Sequence, residues 1–261
     1  MVIFEIVTPG TWIDSADRDW SWKIQNHLRS LKSHFFEANL ALNLFLGAQS
    51  IGPPARDMTT WQRDSQRRAE ISREIEAQRG GALSPVDWED VSFETDVSFK
   101  REQWCGGQVP REFEHKIPFI YARAFLYALD AFEKFLGVLV QEPGVPLQIA
   151  DLHRQVTQDF PDLRGVRNTT QHLEDRARGL GAGREPKPLV LQPVKNSLIA
   201  APSGALVLDS LNGSKYSCTM ADGCLGEVDV CEESMRRLQR ILEAVLKSFQ
   251  WRGPKEHSPA A

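Results

Sequence analysis

The stretch PREFEHKIPFIYARAFLYALDAFEKFLGVLVQE, Pro110–Glu142, is the most strongly apolar part of the chain that keeps a helical period. Phe113, Ile117, Tyr121, Phe125, Leu129, Phe132, Leu136 and Leu139 recur every three or four positions. That spacing lines one face of an α-helix. Pro118 marks a place for a kink, because proline lacks the N–H that a helix interior uses. Arg123, Asp130, Glu133 and Lys134 interrupt the apolar run Ala122–Val140, so the segment reads as a helix in a protein core rather than a membrane span.

Working outward, the same period recurs upstream. Trp12–Ala48 carries Trp20, Ile24, Leu28, Leu31, Phe35, Ala38, Leu42 and Phe45 in register behind candidate caps at Asp14 and Ser15. Gly47 and Gly52-Pro53-Pro54 end it. Met58–Arg79 is a second helix, rich in Arg and Glu, with a thin stripe of Trp61, Ala69, Ile71 and Ile75; Gly80-Gly81 stops it. Between Ser84 and Val109 the period is ambiguous, and the run VDWEDVSFETDVSF fits a helical turn or an irregular crossover equally well. Pro146–Gln158 and Pro161–Gly179 read as shorter helices that open with proline in the first turn.

After Gly179 the pattern changes. Gly179–Gly183, Pro186 and Pro188 form a joint, followed by β-rich runs at Leu189–Val194, Ala205–Leu208, Lys215–Met220 and Leu225–Val230. Pro202–Gly204, Asn212-Gly213 and Asp222-Gly223 are turn signals between them. Glu232–Trp251 is a closing helix with Met235, Leu238, Ile241, Leu242, Val245 and Phe249 on one side. The expectation is a mainly α protein: a helical bundle over residues 12–180, a small antiparallel β-meander with a C-terminal helix over 186–251, and a flexible tail, 252–261.

Composition narrows the function classes. The 261 residues carry 41% hydrophobic and 25% charged side chains, so the chain can bury a core and is no disordered segment. A formal charge of −4 argues against a protein that coats nucleic acid, while leaving room for a local basic patch. Cys105, Cys218, Cys224 and Cys231 form no CxxC pair and no zinc spacing, so they read as reduced packing residues of a cytoplasmic protein, with no metal or other cofactor. The first residues lack a basic leader, so no signal peptide and no membrane association are expected. Walker, GxGxxG, GxSxG and HExxH patterns are all missing.

The chemistry-bearing element is Arg167-Asn168-Thr169-Thr170-Gln171-His172. Arg followed five positions later by His occurs three times, at Arg29–His34, Arg167–His172 and Arg252–His257, so the bare pattern says little. Context separates them. Arg252–His257 runs through Gly253-Pro254, and Arg29–His34 lies among packing aromatics. Only Arg167 is followed by an amide, Asn168, one helical turn before the His and on its face. Asp175 extends that stripe, so Asn168 or Asp175 is placed to set the imidazole tautomer. Arg164, Arg176, Arg178 and Arg184 make this the most cationic part of the chain, a candidate phosphate footprint.

A helical bundle with Arg-Asn-x-x-x-His in a late helix resembles the HEPN superfamily (higher eukaryote and prokaryote nucleotide-binding domains), over residues 12–180 and not over the meander. The resemblance implies a metal-independent endoribonuclease of toxin–antitoxin or phage-defence type. Arg167 and His172 would be catalytic, Asn168 supporting, and the partners RNA or nucleotide, a second copy of the chain and an antitoxin or other regulatory protein. Five positions along a regular helix turn about 500°, leaving the two side chains about 140° apart unless the helix bends or the long Arg wraps round, so the expectation is a homodimer that completes the site across a two-fold axis. A non-catalytic helical module binding nucleotide, RNA or a protein is the second reading. A structural role for the Arg–His helix is the third.

Overall fold

The structure, a computed structural model, describes residues 1–50, 57–80, 84–183 and 187–260. The N-terminal segment holds β1 (Ile6–Thr8) and β2 (Trp12–Ile13), followed by α1 (Arg18–Ser50), α2 (Met58–Arg79), α3 (Pro85–Cys105), α4 (Arg111–Val140), α5 (Gln148–Asp159), α6 (Leu163–Gln171) and α7 (Leu173–Ala177). The C-terminal region holds β3 (Val194–Lys195), β4 (Ala200–Ala201), β5 (Ser210–Asn212), β6 (Lys215–Thr219), β7 (Leu225–Asp229), α8 (Glu232–Lys247), β8 (Trp251–Arg252) and β9 (Glu256–Ser258). The protein is mainly α with small antiparallel strand pairs, as the sequence implies. The joint residues Arg184 and Pro186, and the breaks at Gly52-Pro53-Pro54 and Gly81, lie outside the described residues.

The chain divides into two compact units, one of residues 1–49 and 117–261, the other of residues 50–116. The larger unit is built on the apolar faces that the periodicity marks. Ile24, Leu28, Leu31, Phe35, Leu42 and Phe45 of α1 share one core with Phe125, Leu129, Phe132, Leu136 and Leu139 of α4, and with Leu238, Leu242 and Val245 of α8. At one end, Glu142 gathers Lys23 (2.7 Å) and His27 (3.2 Å), and the Trp20 indole N–H donates to the Pro143 carbonyl at 2.6 Å. Those bonds satisfy polar groups beside the core that would otherwise oppose burial.

Several boundaries differ from the sequence reading. Helix α1 starts at Arg18 because Asp17 caps it, its Oδ1 accepting from the Trp20 N–H at 3.0 Å. Trp12 and Ile13 are extended instead and pair with Arg252 and Trp251. The expected flexible tail is likewise a paired strand for part of its length, with Ile6, Val7 and Thr8 opposite Ser258, His257 and Glu256. These partners sit at opposite ends of the chain, and no local pattern links them. In the meander, β6 and β7 fall where expected, but Leu189–Pro193 and Ala205–Leu208 are irregular. The β5–β6 hairpin turns at Gly213-Ser214, with Gly213 at φ +60°, so Asn212 is the last paired residue rather than a turn residue.

The smaller unit is a hairpin of α2 and α3. The segment left open by the sequence is the helix α3. Ser84 and Asp87 form a reciprocal capping box, the Ser84 hydroxyl accepting from the Asp87 N–H (3.3 Å) and the Asp87 carboxylate from the Ser84 N–H (2.8 Å). Among the described residues, Ile71, Val91 and Phe99 are its buried apolar side chains. Arg67 bonds Glu102 (2.7 Å) and Glu70 (3.1 Å), Arg79 bonds Glu94 (2.7 Å), and Arg68 pairs with Asp96 and lies over the Phe99 ring at 4.3 Å.

Candidate functional site

Helix α6 is held against the β6–β7 hairpin by close packing. Gly165 faces the Met220 side chain so tightly that a Cβ would collide with its sulfur, and Gly226 leaves room for the same side chain from the sheet. Thr169 donates to the Thr219 carbonyl at 3.2 Å, and the Asp162 carboxylate at the helix start accepts from the Glu227 N–H at 3.0 Å. Burial beneath the helix pushes the Cys218 thiol up to about 12, which makes it a packing group rather than a nucleophile. A short helix bonded at both ends presents its outer side chains from a fixed base.

Arg167 projects from that helix and is half-buried. Its Nε lies 2.9 Å from Oδ2 of Asp130, and its Nη1 donates to Asn168 Oδ1 at 3.1 Å. Asp130 is a buried carboxylate of α4, and the same oxygen accepts from Lys134 Nζ at 2.7 Å. A carboxylate inside a protein needs such partners, since its desolvation is otherwise uncompensated. Asp130 thus pairs with the guanidinium by charge, and Asn168 accepts a hydrogen bond from it. Next to them the Tyr127 hydroxyl meets Thr170 Oγ1 at 3.4 Å. Asp130 is the partner of Arg167 that the motif missed. Its signal was a charged residue inside the most apolar helix, although Lys134 one turn on already offers it a cation.

His172 is not inside a regular helix. It ends α6 and begins α7, with φ −131° and ψ 43°. The rotation of about 140° expected between Arg167 and His172 holds for a continuous helix, so it does not apply across this break. His172 is 57% exposed, and its Nδ1 lies 3.7 Å from Glu174. Neither Asn168 nor Asp175 hydrogen-bonds its ring among the described residues: Asn168 is taken by Arg167, and Asp175 lies 3.5 Å from Arg178. His172, Glu174 and Asp175 bring one imidazole and two carboxylates within 4.8 Å of one another, a donor set that could hold a cation, on the outer face of a five-residue helix.

The expected phosphate footprint splits. Arg164 is exposed and so is Arg178, whereas Arg176 is only 2% exposed. Its guanidinium donates to the carbonyls of Leu180 and of Gly181 (2.8 Å), so it staples the glycine joint to α7 and presents no donor to solvent. That corrects its assignment as a phosphate contact, and the cause is that the chain turns back over it at Gly179. Arg184 lies outside the described residues. Among the described residues no helix is long and apolar enough to cross a membrane. Comparisons with protein-family models, curated proteins and solved structures returned no match to this chain.

Proposed function

We propose that the α6–α7 element binds RNA through Arg167, Arg164 and Arg178 and cleaves it with His172, without a metal ion. The single observation that carries this reading is a guanidinium beside a buried carboxylate, five residues before an exposed imidazole at a helix break. Arg167 is held by Asp130 and Asn168, and His172 stands more than half exposed just beyond it. A guanidinium fixed in advance donates to a phosphate with little reorganisation, and Arg offers the forked geometry that a phosphate accepts.

RNA supplies its own nucleophile. The 2′-oxygen bonds to phosphorus as the bond from phosphorus to the 5′-oxygen breaks. One proton leaves the 2′-hydroxyl and one reaches the departing 5′-oxygen. His172 carries one of these transfers and water the other, leaving a 2′,3′-cyclic phosphate and a 5′-hydroxyl. Arg167 spreads the charge that grows on the non-bridging oxygens.

A second reading follows from the same contacts. Arg167, charge-paired with Asp130, would then serve as an anchor for a nucleotide or an RNA that is bound and not cut. Binding and cleavage measured in parallel in EDTA separate the two. Under the first reading His172→Ala abolishes cleavage and keeps binding, and Arg167→Ala weakens both. Under the second, wild type binds RNA, releases no fragment, and is insensitive to His172→Ala. Cleavage that needs added divalent metal would overturn the mechanism and turn attention to His172, Glu174 and Asp175.

A further inference from the structure

Helix α3 has two apolar faces, and the hairpin uses only one. At 100° per residue, Val91, Thr95 and Phe99 cluster on one side and are buried. Val86, Phe93, Val97 and Trp104 fall within about 40° of one another on the opposite side. Val86 is 66% exposed, Phe93 70% and Trp104 48%, while Val97 between them is half-buried. Isolated exposed hydrophobics are ordinary, but an aligned stripe with two large aromatics marks a contact surface.

The order of residues along this stripe identifies its occupant. Reading from the N-terminal end, the stripe and the charges set within it run Val86, Asp90, Phe93, Val97, Lys100, Trp104. Four- and three-residue steps alternate, as in the seam of a coiled coil. The sequence is also self-complementary when reversed. About a two-fold axis level with Thr95, Val86 falls opposite the partner's Trp104, Phe93 opposite the partner's Val97, and Asp90 opposite the partner's Lys100. Each layer then pairs a large side chain with a small one, or an acid with a base. At the flank, Asp87 and Glu94 come within reach of the partner's Arg101. A parallel arrangement would stack Asp90 on Asp90 and Lys100 on Lys100, which like charges oppose.

We infer that the outer face of α3 is a homodimer interface, two copies of this helix packing antiparallel along the seam Val86–Trp104. The interface is isologous, as a two-fold contact must be. Arg79 of α2 touches the acidic end from within the hairpin, at 2.7 Å from Glu94 but only 3.9 Å from Asp90 and 4.0 Å from Asp87. Asp90 therefore keeps a free side for a second cation. The inference is independent of the ribonuclease reading, because no residue of the Arg167–His172 element takes part.

Sedimentation of the full chain over the micromolar range tests it, with circular dichroism and melting temperature as controls for folding. Wild type is expected to pass from monomer to dimer as concentration rises. Phe93→Glu shifts that transition beyond the range. Asp90→Lys and Lys100→Asp each do the same alone, because each places like charges opposite each other. The double variant Asp90→Lys/Lys100→Asp restores dimers, and the two single variants mixed in equal amounts associate with one another. A chain that stays monomeric throughout the range overturns the inference. A dimer unmoved by Phe93→Glu and by both charge reversals overturns it equally, since association then uses another surface. RNA cleavage plays no part in the readout, so the two proposals fail separately.

Discussion

Two regions of this acidic chain are crowded with arginine, and they use it in opposite ways. In the α2–α3 hairpin, Arg67, Arg68 and Arg79 each face carboxylates across the helix pair. Each of these guanidinium groups has an acidic partner on the facing helix. Around α6 the arginines have separate fates. Arg176 is buried against carbonyls, Arg167 is held from below by one carboxylate, and Arg164 stands exposed. The number of cations in a segment therefore says little about a phosphate site. What matters is whether the carboxylates near them hold the charge in place or cancel it.

The largest expected effect distinguishes the two regions by function. His172→Ala should lower RNA cleavage by about 10²- to 10⁴-fold, the range for losing a general acid or base, while leaving the melting temperature unchanged, since the side chain is exposed. Single-turnover assays with thermal melts check both halves. Arg176→Leu should instead cost about 1–3 kcal/mol of stability, because it leaves the Leu180 and Gly181 carbonyls without their donor. Urea unfolding measures it, and an Arg176 variant of full stability that loses RNA affinity would restore that residue to the footprint.

Asp130→Asn is subtler. The amide keeps the shape but loses the charge that orients Arg167, so about 1–2 kcal/mol of stability and about tenfold in kcat should go together. The smallest effect belongs to the hairpin. Arg68→Ala should cost less than about 1 kcal/mol, as exposed ion pairs and cation–π contacts do. It should also leave the salt dependence of RNA binding untouched, at a slope of about −1.4 to −2.1 for two or three phosphate contacts. A slope that flattens on removing hairpin arginines would break the contrast between the two regions.

Much of the architecture was legible because burial writes a period into the sequence. The faces of α1 and α8 and of α4 from Phe125 on are read directly from their apolar spacing, whereas Phe113 at the start of α4 is exposed, and α2 has the bounds that its glycine stop and charge pattern imply. Helix α3 resisted for a physical reason. Its two opposed apolar faces interleave along the chain as Val86, Trp88, Val91, Phe93, Val97 and Phe99, which locally mimics the alternation of a strand. The pairing of β1 with β9 was equally hidden, since strand partners so distant in sequence share no short-range signal.

The site was legible to a different depth. Arg167 and His172 were chosen from residue type and neighbourhood, but their surroundings depend on tertiary contacts. Asp130 looked like an interruption of an apolar helix and is the anchor of Arg167. The helix break at His172 follows no proline or glycine, and Arg176 lies in the same basic cluster as its exposed neighbours. Sequence spacing could not tell these roles apart, because they are decided by what folds over each side chain.

The most direct test of the central claim is the chemistry of the cut end. Purified protein is incubated with RNA in excess EDTA, and the products are resolved by mass. The account predicts fragments ending in a 2′,3′-cyclic phosphate that vanish with His172→Ala. Intact RNA, or cleavage that survives that substitution, would contradict it.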